Sequence, residues 1–411
     1  MAFNDETLPA LKKEVDKELR SILSWWKQHA IDKKRGGFYG SVNNGNTPDA
    51  TAPKGVVMTS RVLWAFSAAY THTNDPGDLL MATRAWEYLR DHFIDKRHGG
   101  VYWSVDANGD IHEDRKQIYG LAFSLYGLAE YYKIKREEPV LQEAKKLCNF
   151  IEQYSWDKVK GGYIEAFTRE WKPLDDLRLS EKDDNQKKSM NTHLHVVEAY
   201  ANLYQVWPDP ALEERITGIL DLFNRHIINS KTMHLDLFMD EDWQVKSTLQ
   251  SYGHDIEAAW LLQECAEITE DKTYIDYFRQ LAVKLAAAAA EGLDKDGGLW
   301  YEFDPAGSHL IKEKHSWQQA EALVGFFNAW QITNDKKFLT RSYQTWEFIK
   351  QHIKDSRKGE WFWGVNEDYS PMQKDKAGFW KCPYHNSRAC LEIIKRIEAI
   401  KSRSDSNRSS S

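Results

Sequence analysis

His254 and Glu257, in SYGHDIEAAW, stand three residues apart in a stretch of helical period, so they share a helix face. A carboxylate beside an imidazole fixes its tautomer and raises its basicity, as a general base working near neutral pH requires. Asn191 and His195, in MNTHLHVVEAY, are four apart, as are Trp317 and Glu321 in SWQQAEAL, and each pair also shares a face. His193 sits between the members of the first pair. Arg61 in MTSRVLWAF, Tyr119 in RKQIYGLAF, and Trp380 with His385 in GFWKCPYHNSRAC complete the set. Three chemistries could use these residues. A metal could recruit His195, His254, Glu257 and His385, but the spacing of His254 and Glu257 is a weak signal. No H-E-x-x-H or cysteine cluster supports it, so no metal is expected. Glycoside hydrolysis needs two opposed carboxylates, for which Glu257 and Glu321 are available, although histidines dominate the set. Proton abstraction beside a carbonyl needs bases that titrate near neutrality, which imidazoles do. An opened aldose brings its own carbonyl, so no cofactor is expected.

These residues recur at equivalent points of a repeat. A Gly pair followed by aromatic and β-branched residues appears as KKRGGFYGSV, KRHGGVYWSV, KVKGGYIEAF and KDGGLWYEF. RKGEWFWGV is a weaker copy, and TMHLDLFMDEDW has lost its glycines. With Gly37, Gly100, Gly162, His234, Gly298 and Glu360 as markers, the spacings are 63, 62, 72, 64 and 62. Each copy predicts a short β-hairpin, because Gly permits the tight turn and alternating aromatics suit strands. Two helical stretches follow each of the first five: 55–74 and 77–94, 115–135 and 139–154, 187–206 and 209–228, 251–269 and 271–292, 314–333 and 336–354. Helices over 7–30 and 382–400 bring the total to twelve. Both end helices are as amphipathic as the rest, which argues against an open solenoid with polar caps. The expected fold is therefore all-α: a single (α/α)6 barrel of twelve helices with short β-hairpin loops on one face. Residues 1–400 form the catalytic domain, and the polar tail 401–411 is expected to be disordered. The helices after hairpins form the inner ring, so their starts surround one mouth of the barrel. A mouth lined by Arg, His, Glu and aromatics suits a polar ligand.

The 411 residues are 42% hydrophobic and 28% charged, which allows a large core. A net charge of −7 without a dense Lys/Arg run argues against a nucleic-acid partner. No stretch approaches the roughly 18 apolar residues of a membrane span, so no membrane partner is expected. The start MAFNDETLPALKKEV does not read as a secretory signal. Cys148, Cys265, Cys382 and Cys390 form no CxxC pair. Free thiols without a signal segment predict a cytoplasmic protein. Some of the 17 Trp are expected to stack on sugar rings, whose C–H faces suit flat π surfaces.

In NTHLHVVEAY, SYGHDIEAAWLL, SWQQAEAL and WKCPYHNSRA the chain resembles the cellobiose 2-epimerases, within the N-acylglucosamine 2-epimerase superfamily. The resemblance runs from about residue 10 to about 398. It implies an (α/α)6 barrel and isomerisation through an enediolate, with neither metal nor redox cofactor. It implies that His254 and His385 are the acid/base pair, with Glu257 supporting the first. It places His195 near the reducing end and gives hydroxyl-holding roles to Arg61, Tyr119 and Asn191. Trp317 and Trp380 become aromatic walls, Trp380 facing the second sugar, and Glu321 a further pocket carboxylate. No insertion separates His234 from His254, which favours a disaccharide substrate. The protein is expected to work as a monomer, with a homodimer as the alternative. The nearest alternatives in activity are a mannose or N-acylglucosamine 2-epimerase or an aldose–ketose isomerase. A hydrolytic or carbohydrate-binding barrel is more distant.

Overall fold

Short junctions punctuate the helices. Asn74, Arg136 and Asn334 end inner helices in the left-handed conformation, each returning its N–H to the carbonyl four residues back. An N-cap one residue later starts the outer helix: Asp75 and Asp335 accept backbone N–H bonds there. Such two-residue junctions leave consecutive helices antiparallel. The computed structural model describes residues 7–409, and side chains as far as 402. Among these residues are twelve α-helices. The inner ring is α2 (Val56–Thr73), α4 (Ile118–Lys135), α6 (Met190–Tyr204), α8 (Tyr252–Ile268), α10 (Ser316–Thr333) and α12 (Tyr384–Ser409). The outer ring is α1 (Thr7–His29), α3 (Pro76–Tyr88), α5 (Glu138–Phe150), α7 (Pro210–Leu222), α9 (Lys272–Ala289) and α11 (Lys336–Phe348).

The first five inner helices are buried nearly all round, as expected of helices packed on every side. Each packs on the next, and α12 packs on both α10 and α2, so the ring closes. The segment entering each inner helix also pairs with the following hairpin. The antiparallel partners are Lys54–Val105, Lys116–Phe167, Lys188–Met239, Gln250–Phe303 and Lys314–Val365. A sixth pairing, Ala377 with Val42, joins the last repeat to the first. The predicted closed barrel is thus observed.

One ion pair, its lysine buried each time, fastens five of the six hairpins. Asp32, Asp95, Asp157, Asp294 and Asp355 receive Nζ of Lys54, Lys116, Lys188, Lys314 and Lys376 at 3.0, 2.9, 2.9, 2.7 and 2.6 Å. In the fourth repeat both positions are neutral, Asn229 and Gln250. A single change would strand a buried charge, whereas a neutral pair strands none. Here His234 binds Asp255 at 2.7 Å, and Asp255 also accepts the N–H of Leu235. The hairpin keeps its place although its glycines are gone.

One expectation needs correction. Four outer helices finish in a five-residue π-turn, as at Leu89–Phe93, rather than continuing as regular α-helix. The backbone of α12 runs to Ser409, and residues 410–411 of the expected tail lie outside the described residues. The stretch over 401–409 holds neither Gly nor Pro, and nothing in it stops a helix already under way. Among the described residues, no helix is long and apolar enough to cross a membrane.

Candidate active site

Arg61, Phe123, His195, Glu257 and Glu321 each lie seven residues after the hairpin-entering Lys54, Lys116, Lys188, Gln250 and Lys314. The repeat therefore sets them at equivalent depths in the barrel. Above them, at the hairpin face, opens a cavity of about 340 Å³. It is lined by Arg61, Tyr119, Asn191, His195, His254, Glu257, Trp317, Trp380 and His385. Of the residues expected at the mouth, Glu321 lies behind this lining, bonded to His385. His193 belongs to the scaffold. Its ring contacts the Ser189 carbonyl and accepts the N–H of Tyr163, and burial holds its pKa down to about 4.

Four imidazoles line the cavity: His315 is held through Nε2 by Glu313, and the other three are each held through Nδ1. His254 Nδ1 lies 2.8 Å from Ser251 Oγ, His195 Nδ1 2.9 Å from Glu198 Oε2, and His385 Nδ1 2.7 Å from Glu321 Oε1. In these three, each Nε2 is left without a hydrogen-bond partner among the described residues, as a proton-transferring nitrogen must be. Trp317 connects His254 and His385, with ring centroids 4.8 and 5.7 Å away. Burial and the neighbouring His195 hold His254 down to about 3. Burial, Arg61 and Arg388 hold His385 well below the usual imidazole range.

The partners differ from those read in the sequence. Glu257 does not bond His254, despite the shared face. Its Oε1 accepts from Arg388 Nη2 at 2.8 Å and lies 3.9 Å from His385 Nδ1. His254 occupies the first turn of α8, where the Ser251 hydroxyl reaches it first. The same three-residue spacing does operate one repeat earlier, between His195 and Glu198.

Arg388, Glu198 and Tyr384 escaped sequence reasoning, although Arg388 stands three residues after His385 on the same face. Glu257, Glu321 and His385 offer three ligand atoms within 4.8 Å of one another, a grouping that could hold a metal ion. Arg388 Nη2 already donates to both carboxylates, at 2.8 and 2.7 Å, so the guanidinium supplies the positive charge there. Burial and the nearby Glu321 push Glu257 up to about 8, and burial also raises Glu321. Burial thus favours a shared proton on this carboxylate pair.

Arg61 is 3% exposed and has no carboxylate at ion-pair distance among the described residues. It donates to Tyr119 Oη at 2.7 Å and stacks over Phe123. A buried cation without a counter-ion beside a cavity suits charge that appears only during reaction. Trp380 comes from the irregular segment before α12 and rests against Trp103 and Tyr119. Leu179, Ser180, Asp183, Tyr301 and Trp363 also line the cavity. Leu179, Ser180 and Asp183 went unpredicted, because the loop over 168–187 has no periodicity from which to place it, and Tyr301 and Trp363 were read only as hairpin residues.

A closed helical barrel with imidazoles, a free buried cation and aromatic walls at one mouth defines a class of enzyme that works on small polar ligands. The N-acylglucosamine 2-epimerase family model matches residues 25–389. The chain is 45% identical to a cellobiose 2-epimerase of Bacteroides fragilis, over 93% of this chain and 98% of that protein. The cellobiose 2-epimerase of Bacillus thermoamylovorans superimposes with a TM-score of 0.90 at 38% identity, covering 94% of this chain and all of that one. A D-mannose isomerase shares the fold, with a TM-score of 0.81 at 21% identity, covering 96% of this chain and 100% of that one. The chain belongs to the N-acylglucosamine 2-epimerase family.

Proposed function

We propose that this chain is a cellobiose 2-epimerase, interconverting glucose and mannose configurations at the reducing end of β-1,4-linked disaccharides such as cellobiose and lactose. The observation that carries the reading is the pair His254 and His385: both rings face one cavity, both are anchored at Nδ1, and both have Nε2 free. The similarity to cellobiose 2-epimerases supports the substrate class. The pyranose opens first, because only the aldehyde makes C2–H acidic. One imidazole removes the C2 proton. Charge then develops on the C1 oxygen, and Arg61 and His195 are the groups placed to receive it. Rotation within the enediolate turns its other face to the second imidazole, which returns a proton. Tyr119 and Asn191 hold hydroxyls of the reacting ring, Trp317 is its wall, and Trp380 supports the second ring. A cavity of about 340 Å³ lies within the range of small-molecule sites, about 300–1,000 Å³.

Incubation with cellobiose, lactose, mannose and N-acetylglucosamine tests the assignment. Mannose-type product from the two disaccharides, well ahead of turnover of either monosaccharide, is expected. Preferred turnover of N-acetylglucosamine or mannose would move the chain to another activity of its family, and release of free glucose from cellobiose would make it a hydrolase.

The pH profile follows from the site. A base must be neutral, and burial with the neighbouring His195 holds the pKa of His254 down to about 3. Activity should therefore persist from pH 7 to about pH 5, below the ordinary imidazole value near 6.5. On the alkaline side it should fall above about pH 8, as the Glu257–Glu321–His385 cluster loses its proton. A kcat/KM profile with its acid midpoint at 6.5 would contradict the depressed imidazoles.

A further inference from the structure

We infer that Arg388 is a positioning residue that ties the supports of His195 and His385 into one unit, so that each imidazole responds to charge at the other. Arg388 is buried in the barrel. Its Nη1 donates to Glu198 Oε1 at 2.5 Å and to the Tyr384 hydroxyl. Its Nη2 donates to Glu321 Oε1 at 2.7 Å and to Glu257 Oε1 at 2.8 Å. Glu198 holds His195, and Glu321 holds His385. The result is an unbroken path, His195–Glu198–Arg388–Glu321–His385. Only a planar guanidinium presents several donors in fixed directions, so lysine could not span the three carboxylates.

The charges around this path make the coupling strong. Arg61 faces it from α2, the Tyr126 phenol from α4, Glu198 from α6, and His254 with Glu257 from α8. Glu321 faces it from α10, and Tyr384 and His385 from α12 itself. With imidazoles neutral, the carboxyl groups of Glu198, Glu257 and Glu321 face the guanidiniums of Arg61 and Arg388. Burial works to raise Glu198, but Arg388 and His195 outweigh it and bring it down to about 2. Withdrawing the guanidinium would leave the carboxylates to be neutralised by protons on the imidazoles or on themselves. The same atoms orient both Nε2 nitrogens, because each ring is fixed through its Nδ1 contact.

The inference rests on the two-histidine reading, so its test uses a signal that does not need turnover: the imidazole ¹⁵N shifts of the full-length protein, titrated against pH. In Arg388→Gln, the midpoints of His195 and His385 should both rise by about one unit or more, because an opposing charge has been removed. In the same variant kcat should fall about 10²-fold with KM little changed. In Glu198→Gln, where Arg388 has fewer carboxylates to satisfy, the midpoint of His385 should move down although the change is at His195. This second variant keeps the test open if Arg388→Gln does not fold. Folded Arg388→Gln with either midpoint unmoved would overturn the coupling, as would Glu198→Gln with His385 unchanged. Failure of the wild-type protein to epimerise any disaccharide would overturn the proposed function and leave the titration result standing.

Discussion

His254→Asn and His385→Asn should each abolish nearly all epimerisation while the far-ultraviolet spectrum stays helical. Asparagine fills most of the imidazole's space and keeps a polar edge, but it cannot carry a proton. A positioned acid or base contributes about 10²–10⁴-fold, and here the net conversion fails when either residue is lost. The two variants should differ in stability. His254 gives up only a contact with the Ser251 hydroxyl, whereas His385 leaves Glu321 without its imidazole. A hydrogen bond to a charged group is worth about 1.5–3 kcal/mol, so His385→Asn should unfold at the lower temperature. Glu321→Gln should reduce kcat more than Glu257→Gln, because Glu321 touches the imidazole at 2.7 Å and Glu257 stands 3.9 Å away. The measurements are initial rates by product chromatography and thermal melts by circular dichroism. Near-normal turnover by a folded His385→Asn protein would end the two-histidine scheme.

The ranking of Glu321 above Glu257 shows where sequence reasoning stops. The repeat was legible because each Gly pair and each helix start is a local signal, repeated at a period near 63 residues. Closure was legible because the first and last helices have no polar cap faces. From these two facts the mouth residues follow, and nine of them do line the cavity. A three-residue spacing, however, fixes only the face of a helix. Which group a carboxylate bonds depends on what faces it from other helices. Glu257 faces Arg388, contributed by a helix 131 residues away in sequence, and no pattern around residue 257 announces that partner. No local pattern around Arg388 names its partners either. The loop carrying Leu179, Ser180 and Asp183 was invisible for a different reason. It is positioned by side chain–backbone bonds such as Gln117 to the Arg178 carbonyl, and these leave no periodic trace.

Turnover of cellobiose in heavy water should place deuterium at C2 of the mannose-type product, at close to one atom per molecule in the earliest product. If His254 and His385 serve opposite faces of the enediolate, the proton removed by one is not the proton delivered by the other. The delivering imidazole exchanges its N–H with solvent while the cavity is open, so it arrives carrying deuterium. His385 has a further route, since its Nδ1 proton is shared with Glu321 beside the proton-holding Glu257. Transfer of hydride within the substrate never exposes the hydrogen to solvent and predicts unlabelled product. A single base in a shielded site predicts partial label, because the proton it took can return. Sampling must be early, since the reverse reaction carries label back into C2 of the glucose-type substrate. Mass spectrometry gives the number of deuterons, and loss of the C2 proton resonance gives their position. Unlabelled early product would overturn the enediolate and both histidine roles, and partial label would retain the enediolate but assign both transfers to one imidazole. The variants extend the argument. If His385→Asn retains slow exchange of C2–H for deuterium in unreacted cellobiose while forming no mannose-type product, His254 is the base on the glucose side. Exchange confined to His254→Asn would assign that side to His385.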